Sequence, residues 1–158
     1  MSDFDENIDY GEVVKDALEN KEWRFQARKI EDKTIFAIPM SAKNCPGLNI
    51  RLEISESGDS KIRCYVAEDA PKSVRFPLLE VIDVLNNRYR YLTLSIDSDG
   101  DILAAYDFIM FGTDKKVIEK HAITMILLLS DIIDKCIPPI MKVIWSAEED
   151  DEDDEDDE

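Results

Sequence analysis

The sequence predicts an α+β domain: an antiparallel sheet of about six strands with helices packed mainly on one face, in the order α-β-β-β-β-α-β-β-α. Three observations carry this. Apolar and polar residues alternate over successive short segments between residues 23 and 66, and again over 92–108, which is the period of strands with one solvated face. Apolar residues recur every three to four positions over 9–22, 77–89 and 117–133, the period of helices buried along one stripe. Clusters of Asn, Asp, Ser, Gly or Pro punctuate these segments, which marks turns.

The first helix is expected over 9–22. Asp9 and Glu12 form a D-x-x-E start, a relative of the capping box, and Tyr10, Val13, Val14, Ala17 and Leu18 share a face. A first strand follows, with Trp23, Phe25 and Ala27 inward and Arg24, Gln26 and Arg28 outward. After the polar turn Glu31-Asp32-Lys33, a second strand carries Phe36, Ile38 and Met40 on one face. Ser41–Gly47 is a turn cluster. The third strand sets Leu48, Ile50, Leu52 and Ile54 against Asn49, Arg51 and Glu53. Beyond the loop Ser55–Ser60, the fourth strand turns Ile62, Cys64 and Val66 inward and Arg63 and Tyr65 outward.

Glu68–Ser73 connects to a second helix with Pro77 in its first turn, where the missing N–H costs nothing. Leu78, Val81, Ile82, Leu85 and Tyr89 form its stripe. Leu92, Leu94 and Ile96 begin a hairpin whose other arm is Ile102, Ala104, Tyr106 and Phe108. Asp99-Gly100 between two alternating runs predicts a tight primed turn. Thr113 or Asp114 caps the last helix, and its apolar set, from Val117 through Ile133, is wide enough to make it the most buried element. Pro138-Pro139 should break or kink it, leaving one or two further turns that end near Trp145.

Charge divides the chain. It has 158 residues, 36 acidic and 19 basic, for a formal charge of −17. Glu148, Glu149, Asp150, Asp151, Glu152, Asp153, Asp154, Glu155, Asp156, Asp157 and Glu158 are consecutive. Removing those eleven leaves 25 acidic and 19 basic residues, a net of −6 over 1–147. One domain over 1–147 and a disordered, extended polyacidic tail over 148–158 are therefore expected, because the tail has nothing apolar to bury and its charges repel. The balance argues against nucleic acid as a partner, which calls for phosphate-neutralising cations. The acidic N-terminus lacks the pattern of a signal peptide, and no apolar run approaches the roughly 20 residues that cross a bilayer. Cys45, Cys64 and Cys136 are odd in number and form no C-x-x-C. A reducing cytoplasm, without membrane association, is the expected location.

No cofactor is expected, and no enzyme. The five glycines are at least eleven residues apart, too sparse for a phosphate-cradling loop. The single histidine, His121, lies on the long helix, no G-x-S-x-G elbow exists, and no cysteine has a histidine nearby to activate it. The three cysteines and His121 are too widely spaced to suggest zinc. Asp97, Asp99 and Asp101 fail the calcium-loop pattern, since Ile102 stands where that loop needs glycine and the flanks read as strands.

The stretch from about Phe76 to Trp145 resembles the YbjN domain family of bacterial sensory-transduction regulators. Leu85-Asn86-Asn87-Arg88-Tyr89, the strand Tyr91–Ile96, Asp97-Ser98-Asp99-Gly100-Asp101, Tyr106-Asp107, Gly112, the long apolar helix and Pro138-Pro139 occur in the family's order. The upstream helix and strands extend the resemblance over most of 8–145. It implies a fold similar to type III secretion chaperones, which commonly pair as homodimers and bind other protein chains without chemistry. The polyacidic tail stands outside the family pattern.

The alternation also groups Arg24, Arg28, Arg51, Arg63 and Tyr65 on the face away from the helices, and Tyr91 is expected to join them. Arg and Tyr are favoured at protein interfaces. The expected function is thus a non-enzymatic protein-binding module, a YbjN-like regulator, adaptor or chaperone-like homodimer. The alternatives are a small-ligand sensor or enzyme with a pocket between sheet and helices, and an acidic chaperone that holds basic proteins through its tail.

Overall fold

The computed structural model describes residues 8–153 of the chain. Helix α1 (Tyr10–Asn20) leads into strands β1 (Gln26–Ile30), β2 (Lys33–Met40), β3 (Leu48–Ser55) and β4 (Asp59–Ala67). A short 3-10 turn (Lys72–Val74) precedes α2 (Arg75–Arg88), and β5 (Thr93–Ile96), β6 (Ile102–Ile109) and α3 (Lys115–Asp153) complete the domain. The six strands form one sheet in the order β1-β2-β3-β4-β6-β5, every neighbour antiparallel. The α+β class and the element order are those the sequence predicts.

Apolar side chains occupy the layer between sheet and helices. Leu18 of α1, Phe36 and Ile38 of β2, Ile50 and Leu52 of β3, Ile62 of β4, Leu78 of α2, Ile102 of β6 and Ile126 and Leu129 of α3 are all fully buried. Such side chains each contribute about 1.5–3 kcal/mol of transfer free energy. The N-terminus of α1 is closed as expected, with Asp9 accepting a hydrogen bond from the Glu12 N–H at 3.2 Å.

Several local expectations need correction. Trp23 and Phe25 lie ahead of β1 and reach the edge of the core from the connector. β1 is exposed along its whole length, Ala27 included, although Ala27 pairs with the fully buried Phe36. The helix layer stops short of this edge strand. The hairpin joining β5 to β6 has a three-residue loop rather than a two-residue primed turn. Gly100 N–H donates to Asp97 C=O at 3.2 Å and Asp97 N–H to Asp101 C=O at 3.1 Å. Gly100 alone in the loop takes positive φ, +85°, the signature of a type I turn followed by a glycine bulge.

The prolines do not break the last helix. α3 runs 39 residues, about 58 Å at a rise of 1.5 Å per residue. Pro138 and Pro139 have no N–H for the carbonyls of Asp134 and Lys135. The first of these carbonyls is taken instead by Asn44 Nδ2, from the β2–β3 loop, at 3.1 Å. The backbone stays helical over 148–153, where sequence predicts an extended chain. Propagating an existing helix costs little, and Glu is a good helix former. The tail residues 154–158 lie outside the described residues.

Candidate functional site

The open face of the sheet is built by register. Side chains of one parity, among them Phe36, Ile38, Leu52 and Ile62, enter the core. The other parity faces away from the helices and falls into rows across the strands, each step about 4.8 Å. One row reads Gln26, Ala37, Arg51, Arg63, Ala105, Thr93. The next reads Arg28, Ile35, Glu53, Lys61, Asp107. On the other side lie Pro39 beside Asn49, and Tyr65 beside Leu103. Arg24, just before β1, lines a depression of about 560 Å³ with Gln26, Ala37, Pro39 and Asn49.

Arg24, Arg28, Arg51, Arg63 and Tyr65 thus share one face. Tyr91 does not. It sits in a bend before β5, and its ring meets Tyr106 edge-on at 5.9 Å. Tyr106 in turn stacks on Phe108 at 5.6 Å and packs against the core. Tyr91 is drawn toward this aromatic group because β5 begins only at Thr93, so strand parity does not govern it. His121 completes the cluster, 5.4 Å from the Phe108 ring.

Charge on the open face is of the opposite sign to the rest of the chain. Arg24, Arg28, Lys33, Arg51, Lys61 and Arg63 stand against Glu53, Asp59 and Asp107, a net of +3. Two of the carboxylates are already engaged. Arg63 pairs with Asp107 at 2.6 Å. Glu53 is held by Lys33 at 3.0 Å, with Arg51 at 3.8 Å, and its hydrogen bond to Lys33 keeps its carboxyl below the usual range. Among the described residues, no carboxylate comes within 4.0 Å of Arg24, Arg28 or Lys61. Arg51 and Arg63 are direct cross-strand partners, a like-charge pair that opposes folding slightly. Tyr65 is more than half exposed.

The face is also concave. The Arg24 depression adjoins one of about 370 Å³ lined by Arg28, Ile35, Ala37 and Arg51, and a third of about 490 Å³ bounded by Arg51, Lys61, Arg63 and Tyr65. Ala37, Asn49 and Arg51 recur in their linings, so the three form one trough from β1 to β4 with small side chains on its floor. Lys61 and Asp107 join the face beyond the set that sequence singles out, and their parity with Arg63 and Ala105 is the signal that places them here. The Arg51–Arg63 pairing requires the register, which alternation alone does not supply.

Other chemistry-bearing groups have structural roles. Asp97 Oδ1 accepts the N–H groups of Asp99 and Asp101, and Asp101 Oδ1 accepts that of Asp69. The three carboxylates lie within 4.8 Å of one another, and those of Asp97 and Asp101 are engaged in these loop hydrogen bonds. Burial pushes the Cys64 and Cys136 thiols up to about 11, so both stay protonated at neutral pH, whereas Cys45 is half-buried at the surface. In native protein near pH 8, an aromatic disulfide reagent should therefore titrate one thiol rapidly and three after denaturation. Fast reaction at Cys64 would contradict its burial.

Among the described residues, no helix is long and apolar enough to cross a membrane. No protein-family model and no curated protein matches this sequence. Among solved structures, the chain is similar to YbjN from E. coli, a proposed transcription regulator, over 78% of this chain and 88% of that one, at 12% identity and a TM-score of 0.52. At that identity the likeness shows a shared fold.

Proposed function

We propose that this chain is a non-catalytic, cytoplasmic protein-binding module, a regulator or adaptor of the YbjN type, that docks polypeptide on the open face of its sheet. The observation that carries this reading is the Arg51–Arg63 pair at the centre of a concave, net positive surface on an otherwise acidic chain. Natural sheets rarely place like charges directly opposite, since the pairing costs stability. Arg is also among the residues that dominate binding energy at protein interfaces, as is Tyr, and Tyr65 stands beside the pair. The side chains buried between sheet and helices are nearly all apolar, whereas the open face carries six cations. The protonated thiols and the aromatic packing of His121 further support a role without chemistry.

Site-specific photo-crosslinking tests this. A benzophenone side chain replacing Tyr65 should capture a protein partner in the native cell. The same group replacing the exposed Thr124 of α3 should not. Arg51→Glu with Arg63→Glu should remove the position-65 crosslink while circular dichroism stays unchanged. Crosslinks from position 124 alone would refute the open face as the docking surface.

A further inference from the structure

The acidic segment and the open face are complementary in charge. We propose that residues 148–158 of a second copy of this chain dock on the open face, across Arg51 and Arg63. This rests on the docking-surface reading above and names the occupant.

α3 packs on the opposite side of the sheet, so the face it leaves open is accessible to the acidic segment of a second copy. From β1 to β4 the trough spans about 14 Å, so five extended residues cross it.

The chemistry suits this occupant. Arg24, Arg28 and Lys61 lie without a carboxylate within 4.0 Å among the described residues, and an extended acidic chain presents carboxylates to both of its sides. Every residue of the segment is Asp or Glu, so binding does not depend on which carboxylate meets which cation. Freeing the last turn of α3 to dock costs little, because acidic residues at a helix C-terminus oppose the macrodipole. Reciprocal exchange of tails would give a closed two-fold dimer, and because the attraction between tail and face is exposed to solvent, salt weakens it.

The test uses the full chain, a variant lacking 148–158, a variant carrying Arg51→Glu and Arg63→Glu, and a fluorescent peptide EEDDEDDEDDE. The peptide should bind the tail-less protein at about 50 mM salt, at least about tenfold more weakly at about 500 mM. The same loss is expected when both arginines are reversed on the tail-less chain. In sedimentation, the full chain should dimerise with concentration at low salt and both variants should stay monomeric. Should the charge reversal unfold the protein, Arg51→Gln with Arg63→Gln reads the same surface more mildly. Failure of the peptide to bind the tail-less protein, equal binding to the reversed face, or a full chain that remains monomeric would each overturn the proposal. Persistence of the position-65 crosslink to another protein in the tail-less chain would then leave the platform standing and remove only this occupant. Loss of crosslink and peptide together would remove both.

Discussion

Asp134→Ala lowers the unfolding free energy by about 1–3 kcal/mol, the cost of leaving the backbone N–H groups it holds without their charged acceptor. Asp134 is buried on α3, and its carboxylate accepts the backbone N–H groups of Lys43 and Asn44 at 2.9–3.2 Å. Its own carbonyl accepts Asn44 Nδ2 at 3.1 Å. These bonds fasten the β2–β3 loop to the long helix. Chemical denaturation checks the magnitude, and a loss below about 1 kcal/mol would mean that the two N–H groups find water as a ready substitute.

The same site predicts a pH dependence. The Asn44 N–H, then the Lys43 N–H and the Asn44 side chain, hold the Asp134 carboxyl below its ordinary 3.8, against the opposing effect of burial. A lowered folded-state pKa means that the stabilisation is complete above the unfolded value. It is lost as pH falls below about 4, through the folded value. Asp134→Asn removes this acid-side slope while keeping one acceptor, and its loss at neutral pH is smaller than that of the alanine variant. A second check concerns Pro138. Asn44→Ala orphans the Asp134 carbonyl only because Pro138 has no N–H to give it. In a Pro138→Ala background the helix supplies that donor, so Asn44→Ala should cost measurably less, a coupling that a double-mutant cycle reads directly.

This clasp shows where sequence reading stops. The period of two places Arg51, Arg63 and Tyr65 away from the core because parity is a local property of a strand. The Asn44–Asp134 bonds join positions 90 apart, and no local pattern pairs an Asn in a turn cluster with one Asp on a helix. Pro138-Pro139 reads as a helix breaker for the same reason: its propensity is local, while the replacement donor comes from a distant loop. Adjacency of Arg51 and Arg63 depends on the length and geometry of the Ser55–Ser60 connection, which sets the register. Tyr91 departs from its expected face because alternation says nothing two residues ahead of the point where the strand begins. The fold class and the outward Arg set are thus legible, whereas the trough, the pairing of Glu53 and Asp107, and the clasp need tertiary structure.

Gly58→Ala should be comparably damaging, through the backbone. Gly58 is buried in the β3–β4 loop at φ +91°, a region where an L side chain costs about 1–2 kcal/mol. A Cβ placed there collides with the Met110 carbonyl oxygen and sits 3.0 Å from its carbon. Neither is the free end of a flexible side chain. Met110 is itself buried, and its N–H donates to Gly58 C=O at 2.8 Å. Relieving the clash therefore pulls apart the bond that ties the β3–β4 loop to the end of β6, adding about 1–3 kcal/mol for the unpaired groups. Gly112 has the same φ of +91°, but a methyl group added to it meets nothing within 4 Å among the described residues, so Gly112→Ala bears the conformational cost alone. The difference between the two variants in a thermal or denaturant melt isolates the steric contribution, about 1–3 kcal/mol. Equal losses would show that the loop yields without disturbing Met110. The loop leads straight into Asp59, Lys61 and Arg63 of β4, so a shift large enough to free the methyl group displaces the positive face. Gly58→Ala should then weaken polypeptide docking even where the protein remains folded, an effect that Gly112→Ala does not share.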